Sequence, residues 1–235
     1  MKKSHQPRIT HLIFDCDGVL IDSELIGCRV AAEFFTQAGY PLTRDEYIQR
    51  FAGKSHSQIL DEIKNETGIS LEHRMNDTQR REAQYRAFQS ELKATQGIHT
   101  ALSQITLPKA IASGSSLERL HLTLGLTGLK DTFAPHIYSA EQVSNGKPAP
   151  DVFLLAARKL KAKPKQCLVI GDSHHDMEGG KAAGMLTLGY VGASHGTAEL
   201  EQRLRNHGAY AVLNDMRVLP DMITSINKAF EHDGI

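Results

Sequence analysis

Phe14-Asp15-Cys16-Asp17-Gly18-Val19-Leu20-Ile21-Asp22-Ser23 follows on from the first apolar run of the chain, and its reading decides the fold. The run itself, residues 9–14, is short and rich in Ile and Leu. Such a run suits a buried parallel strand. Side chains alternate along a strand, so Asp15 and Asp17, at i and i+2, project to the same side while the chain stays extended. They would stand at the strand's C-terminal end, where open α/β sheets bind their ligands. Like charges held that close raise a pKa or demand a cation. Gly18 permits a sharp exit from the strand.

Outward from this stretch the same unit recurs. Short apolar runs at 109–113, 136–139, 167–170, 186–191 and 210–213 each end in polar or small residues. Helical patterns lie between or after them, at 116–124, 151–160, 177–183, 199–206 and 219–230. Strands alternating with helices predict an α/β fold, a doubly wound parallel sheet of Rossmann-like type. One region breaks the alternation. From 23 to 92 no strand pattern stands out, and helical patterns fill 25–38, 43–51, 55–67 and 71–92. Gly39-Tyr40-Pro41 and Gly68 punctuate them as stops, and Thr43-Arg44-Asp45-Glu46 has the form of a capping box. The expected organisation is an α/β core of residues 1–21 and 93–235, with an all-helical insert at 22–92.

The chain has 235 residues, room for one core with an insertion. It is 40% hydrophobic and 23% charged, so it can build a core without disulfide staples. Lys+Arg and Asp+Glu are each 27, giving no long-range attraction to polyanions and arguing against nucleic-acid binding. Three cysteines, Cys16, Cys28 and Cys167, are an odd number without CxxC spacing, which fits free thiols in a reducing compartment. The basic N-terminus leads into no long apolar h-region, and no run reaches the length of a membrane span. The expectation is a soluble, cytoplasmic, monomeric protein that engages neither membrane nor nucleic acid.

The later runs supply chemical partners for the two aspartates. The second ends Ser113-Gly114-Ser115-Ser116 before a helix, where a hydroxyl and backbone N–H groups make an anion site. A plain Ser N-cap at Ser115 or Ser116 is compatible with that role. The loop Asn145-Gly146-Lys147-Pro148-Ala149-Pro150 is stiffened by prolines and presents Lys147 just before a helix. The strongest later run ends Gly171-Asp172-Ser173-His174-His175-Asp176. Asp172 suits a hard cation, since Mg²⁺ prefers carboxylate and water oxygens. His174 and His175, without other placed ligands, read as loop-surface residues.

In this order the four segments resemble the motifs of the haloacid dehalogenase superfamily of phosphotransferases. Asp15-x-Asp17-Gly18-Val19-Leu20-x-Asp22-Ser23 looks like the first motif, Ser113 the second, Lys147-Pro148 the third, and Gly171-Asp172-x-x-x-Asp176 the fourth. The resemblance covers nearly the whole chain and extends to the subgroup of β-phosphoglucomutase and phosphoglycolate phosphatase, whose helical insert is the cap domain. It implies Asp15 as nucleophile, forming an aspartyl-phosphate, and Asp17 as general acid and base. It implies Mg²⁺ held by Asp15, the backbone carbonyl of Asp17, and Asp172. Ser113 and Gly114 would bind phosphate oxygens, Lys147 would offset negative charge, and Asp176 would support the metal's surroundings or orient Lys147.

The resemblance also narrows the chemistry. A dehalogenase lacks an acid at the position of Asp17, so Asp17 favours phosphate chemistry. β-Phosphoglucomutase carries an Arg where His56 stands here and a His near Gly27. Both departures favour a phosphatase of small phosphorylated sugars or sugar acids, such as phosphogluconate-like compounds. The segment 51–57 sits where relatives carry a cap substrate loop, which points to Lys54 and His56 as substrate contacts; N-cap chemistry around Ser55 is the plainer reading. The alternatives are a mutase-like phosphotransferase and a non-catalytic binder of a phosphorylated metabolite. A mere binder has no need of nucleophile and acid together.

Overall fold

The computed structural model describes residues 8–51, 54–74 and 76–232. Six strands are parallel in one sheet: β1 (His11–Phe14), β2 (Lys109–Ser113), β3 (Ile137–Ser139), β4 (Cys167–Gly171), β5 (Leu186–Tyr190) and β6 (Ala211–Leu213). Their spatial order is β3-β2-β1-β4-β5-β6. The chain first winds from β1 toward β3, then returns to the other side of β1 through β4. The switch point therefore lies between β1 and β4, with Phe14 opposite both Ile111 and Ile170. Ligands bind in the crevice outside the strand ends at such a point.

The strands read as apolar runs because both faces are covered. On one face Ile13, Ala110 and Val169 pack against Val152, Phe153 and Ala156, the last three from a helix at Asp151–Lys159. Each such Val, Ile or Phe contributes about 1.5–3 kcal/mol on full burial. Phe14 meets Phe133 edge to face at 5.6 Å.

The chain divides into two compact units. One holds the described residues up to Asp22 and from Lys93 onward, and the other is Ser23–Leu92. The second unit is helical: α1 (Glu24–Gln37), α2 (Arg44–Phe51), α3 (His56–Thr67) and α4 (Asp77–Glu91). Its own core gathers Phe35, Leu42, Phe51, Ile59, Ile63 and Leu71. The capping box at Thr43 forms, with Thr43 Oγ1 accepting from Glu46 N (3.3 Å) and Glu46 Oε2 accepting from Thr43 N (2.8 Å). Ser55 and Gln58 make a second box on α3, and Gly68, at φ 72°, ends that helix.

In the first unit the helices are α5 (Ile98–Gln104), α6 (Leu117–Leu126), α7 (Lys130–Phe133), α8 (Asp151–Lys159), α9 (His174–Ala182), α10 (Ala198–Asn206) and α11 (Leu219–His232). Three features depart from the pattern. The stretch 71–92 is a short 3₁₀ turn at Glu72–Arg74 followed by α4, which Asn76 caps. Helices α5 and α7, too short to show a period, were not expected. Helix α9 opens at His174 rather than Met177, so the two histidines are helical, not loop, residues. Ser173 caps it in a box with Asp176, while Gly179 and Gly180 weaken its apolar period. Among the described residues no helix is long and apolar enough to cross a membrane.

Candidate active site

The strand ends build the site. β1 stops at Phe14, and Asp15 N still donates to Ile170 O of β4 at 2.9 Å. The chain then turns at once, because Leu20 N (2.9 Å) and Ile21 N (3.2 Å) donate to Cys16 O and Gly18 N donates to Ile21 O (2.9 Å). Gly18 sits at φ 71°, a region open to glycine. Strand β1 therefore ends before Asp17, which makes an isolated bridge with Ile21. Asp17 Oδ1 accepts from Arg119 Nη2 and Oδ2 from Ser115 Oγ, each at 2.6 Å. The carboxyls that press on Asp15 are instead Asp176 and Asp172.

Asp15, Asp172 and Asp176 have carboxylate oxygens within 4.8 Å of one another. Lys147 Nζ stands among them, 2.6 Å from Asp176 Oδ1 and 2.9 Å from Asp15 Oδ1. The first is a hydrogen bond, and the second an ion pair off hydrogen-bond alignment. Burial pulls the Lys147 ammonium down, but Asp15 and Asp176 more than restore it, so its pKa lies above the usual lysine value. Burial pushes the Asp15 carboxyl well above the ordinary range, against the pull of Lys147. Burial also raises Asp172, against its contact with His195. Asp176 has both oxygens engaged: Oδ1 with Lys147, Oδ2 with Ser173 N (3.1 Å) and Ser173 Oγ (2.5 Å).

This donor set is all oxygen, crowded and short of positive charge, which fits a hard divalent cation. Asp15 and Asp172 each have one oxygen near a nitrogen, Asp15 Oδ1 at 2.9 Å from Lys147 and Asp172 Oδ2 at 2.9 Å from His195. Asp176 has both oxygens engaged, and the Asp17 carboxylate is held by Arg119 and Ser115. A cavity of about 380 Å³ opens beside the cluster, lined by Asp15, Asp17, Ser113, Gly114, Lys147 and His175 among others. A second cavity, about 360 Å³, lies between α5 and α11 and includes a single carboxylate, Glu231, so it offers no such donor set.

A sequence model described as haloacid dehalogenase-like hydrolase matches residues 12–190. The chain belongs to that family. A 6-phosphogluconate phosphatase of Escherichia coli (strain K12) is 29% identical over 188 residues, covering 80% of this chain and 85% of that protein. The crystal structure of a conserved haloacid dehalogenase-like protein of unknown function from Agrobacterium tumefaciens superposes with TM-score 0.85 at 39% identity, over 93% of this chain and 99% of that one. A family hydrolase from Deinococcus radiodurans, solved with bound phosphate and sodium, gives TM-score 0.73 at 29% identity, over 90% and 93%.

Asp15, Asp17, Ser113, Gly114 and Lys147 line one cavity, and Asp172 and Asp176 complete the acidic cluster. Lys54 and His56 belong to the helical unit. There Lys54 pairs with Glu62, and His56 packs on Phe35 with ring centroids 5.9 Å apart. Ala52 and Gly53 of the expected substrate loop lie outside the described residues. His175 lines the cavity, and the His174 ring lies against it, centroids 3.9 Å apart and planes tilted by 39°. The three thiols are free, and burial raises each of them. Sequence reasoning missed Arg119, Ser115 as a partner of Asp17, and His195, whose Nε2 lies 2.9 Å from Asp172 Oδ2. Arg119 carried a signal, since it follows the N-cap Ser116 by three residues and so faces the strand ends with the helix's first turn.

Proposed function

We propose that the protein is a Mg²⁺-dependent phosphatase of small phosphate monoesters, acting through an aspartyl-phosphate on Asp15. The observation that carries this is the placing of Asp15, Asp172, Asp176 and Lys147 at the β1/β4 switch point beside a cavity lined by Ser113 and Gly114. Phosphoryl transfer asks chiefly for positioning and for positive charge around the phosphoryl oxygens.

An Asp15 carboxylate oxygen attacks phosphorus as the bond to the leaving alcohol oxygen breaks. Asp17, entering the step protonated with one oxygen released by Arg119 or Ser115, gives that proton to the leaving oxygen. Asp17 then takes a proton from a water, whose oxygen attacks phosphorus and releases Asp15 and inorganic phosphate. Ser113 Oγ, Gly114 N–H and Lys147 hold the phosphoryl oxygens throughout. Asp176 fixes Lys147. Bound at Asp15, Asp172 and the Asp17 carbonyl, Mg²⁺ would reduce repulsion between the nucleophile and its anionic target.

The substrate reading rests on Asp17, on the departures from the mutase pattern at His56 and Gly27, and on likeness to a phosphatase named for 6-phosphogluconate. Sugar and sugar-acid phosphates are the proposed class. The helical unit is proposed as the cap that selects among them, with Lys54 and His56 as contacts. The test is a panel of phosphate monoesters, 6-phosphogluconate included, assayed with Mg²⁺ and with EDTA. Turnover should need the metal, and Asp15→Asn should be folded and inert. Metal-independent turnover, or full activity of Asp15→Asn, overturns the mechanism. Glucose 6-phosphate formed from β-glucose 1-phosphate without phosphate release would establish the mutase instead.

A further inference from the structure

The mechanism leaves Asp22 and His195 without a role, and the two are linked. After β5, Val191 N donates to Leu213 O (2.8 Å) and Gly196 N donates to Ala193 O (2.9 Å), closing a tight loop. A Cβ on Gly196 would lie 1.8 Å from Val191 O, so the loop closes only with glycine there. Asp22, eight residues beyond the β1 end at Phe14, takes hold of this loop. Its two oxygens each accept from Ser194 N at 3.2 Å, and Oδ1 accepts from Ser194 Oγ at 2.5 Å. The next residue, His195, is thereby delivered onto Asp172, Nε2 to Oδ2 at 2.9 Å, with its side chain 17% exposed. The ring sits off the ideal N–H···O line, but the separation couples the two groups. Gly18 makes room for both: a Cβ there would meet Asp172 Oδ2 at 2.0 Å and His195 Cε1 at 2.9 Å.

We propose that His195 is a positioning residue for the cation site, occupying Oδ2 of Asp172 so that the other carboxylate oxygen turns to the cation, with Asp22 and Ser194 fixing the loop that carries it. The inference rests on the reading of Asp172 as a cation ligand. A carboxylate with one oxygen fixed 2.9 Å from a ring nitrogen has lost a rotation it would otherwise have to give up on binding. The role requires the ring proton on Nε2, the nitrogen that faces Asp172. It also accounts for Asp22: the segment that carries the nucleophile sets, through Ser194, the orientation of a ligand on the neighbouring strand.

The test measures Mn²⁺ binding to the full-length protein by electron paramagnetic resonance and calorimetry, without substrate. Loss of an outer partner of a metal ligand weakens affinity about 10- to 100-fold, and that is expected of His195→Ala. His195→Gln, whose amide N–H reaches a similar place, should recover most of it. Ser194→Ala, which leaves the ring intact, should give a smaller loss. Unchanged affinity in His195→Ala, with affinity lost in Asp172→Ala, overturns the inference and leaves the cation reading intact. Unchanged affinity in Asp172→Ala overturns the cation reading itself. Should His195→Ala fail to fold, the other two variants decide: Ser194→Ala binding as tightly as the wild type, or His195→Gln losing the metal while folded, overturns the proposal.

Discussion

Asp17 gives each carboxylate oxygen to a different partner, Arg119 Nη2 and Ser115 Oγ. Both fix the carboxyl of Asp17, which lines the cavity that would take the leaving group under the proposed mechanism. The guanidinium orients the carboxyl without touching the reacting atoms, so Arg119 acts through Asp17. Removing it should harm proton delivery more than phosphoryl binding. Arg119→Ala is expected to lower kcat by about tenfold or more for alkyl phosphates, a part of the 10²–10⁴ that a placed general acid supplies. For p-nitrophenyl phosphate, whose leaving group departs as a stable anion, kcat should barely change. Arg119→Lys should fall between, because an ammonium keeps the charge and loses the fork. Equal losses on both substrates would show that Arg119 supports something other than acid catalysis.

At the scale of elements, His56 offers a prediction for the helical unit. It opens α3 and packs on Phe35. Burial lowers its pKa below 6.5, Arg80 adds to this, and Asp77 opposes it. The unfolded chain therefore takes up the proton at a higher pH than the folded one. Stability contributed by the neutral ring is present above pH 6.5 and is lost as pH falls through the folded value. The urea midpoint of the helical unit should decline on acidification below pH 6.5, and His56→Gln should flatten the decline. A wild-type profile as flat as the variant's would rule this out.

The elements also differ in how much of them could be read from sequence. Strands β1, β2 and β4 are buried over residues 12–14, 110–113 and 167–171, so each carries a short apolar run, and Asp15, Ser113 and Asp172 at their ends mark the site. The start of α9 was hidden, since Ser173 and Asp176 cap it by side-chain hydrogen bonds that leave no apolar period. The side of the site that Asp17 faces was hidden for another reason. Strand alternation fails once Leu20 and Ile21 fold back on Cys16 O, so the second aspartate no longer follows the pleat. His195 lies in a loop with no period, and its place depends on Ser194 meeting a residue distant in sequence.

Over the whole molecule, equal numbers of acidic and basic residues conceal an imbalance at one point. Asp15, Asp172 and Asp176 face the single ammonium of Lys147, an excess of two negative charges when all three are ionised. Asp17 does not enter this account, being paired with Arg119. Buried carboxylates in excess oppose folding, and the raised pKa values of Asp15 and Asp172 express that opposition. A divalent cation would cancel the excess, so metal binding and folding of the α/β unit should be linked. At a metal concentration of 100 times Kd the linkage is worth about 2.7 kcal/mol. For a unit of this size that is a shift of about 5–11 °C, at roughly 2–4 °C per kcal/mol. Calorimetry should therefore show the melting temperature rising with Mg²⁺ and falling back with EDTA. Asp172→Asn, carrying one negative charge fewer, should melt at or above the wild type in EDTA and gain less from Mg²⁺. Identical melts of the wild type in EDTA and in saturating Mg²⁺ would show that the acidic cluster needs no divalent cation.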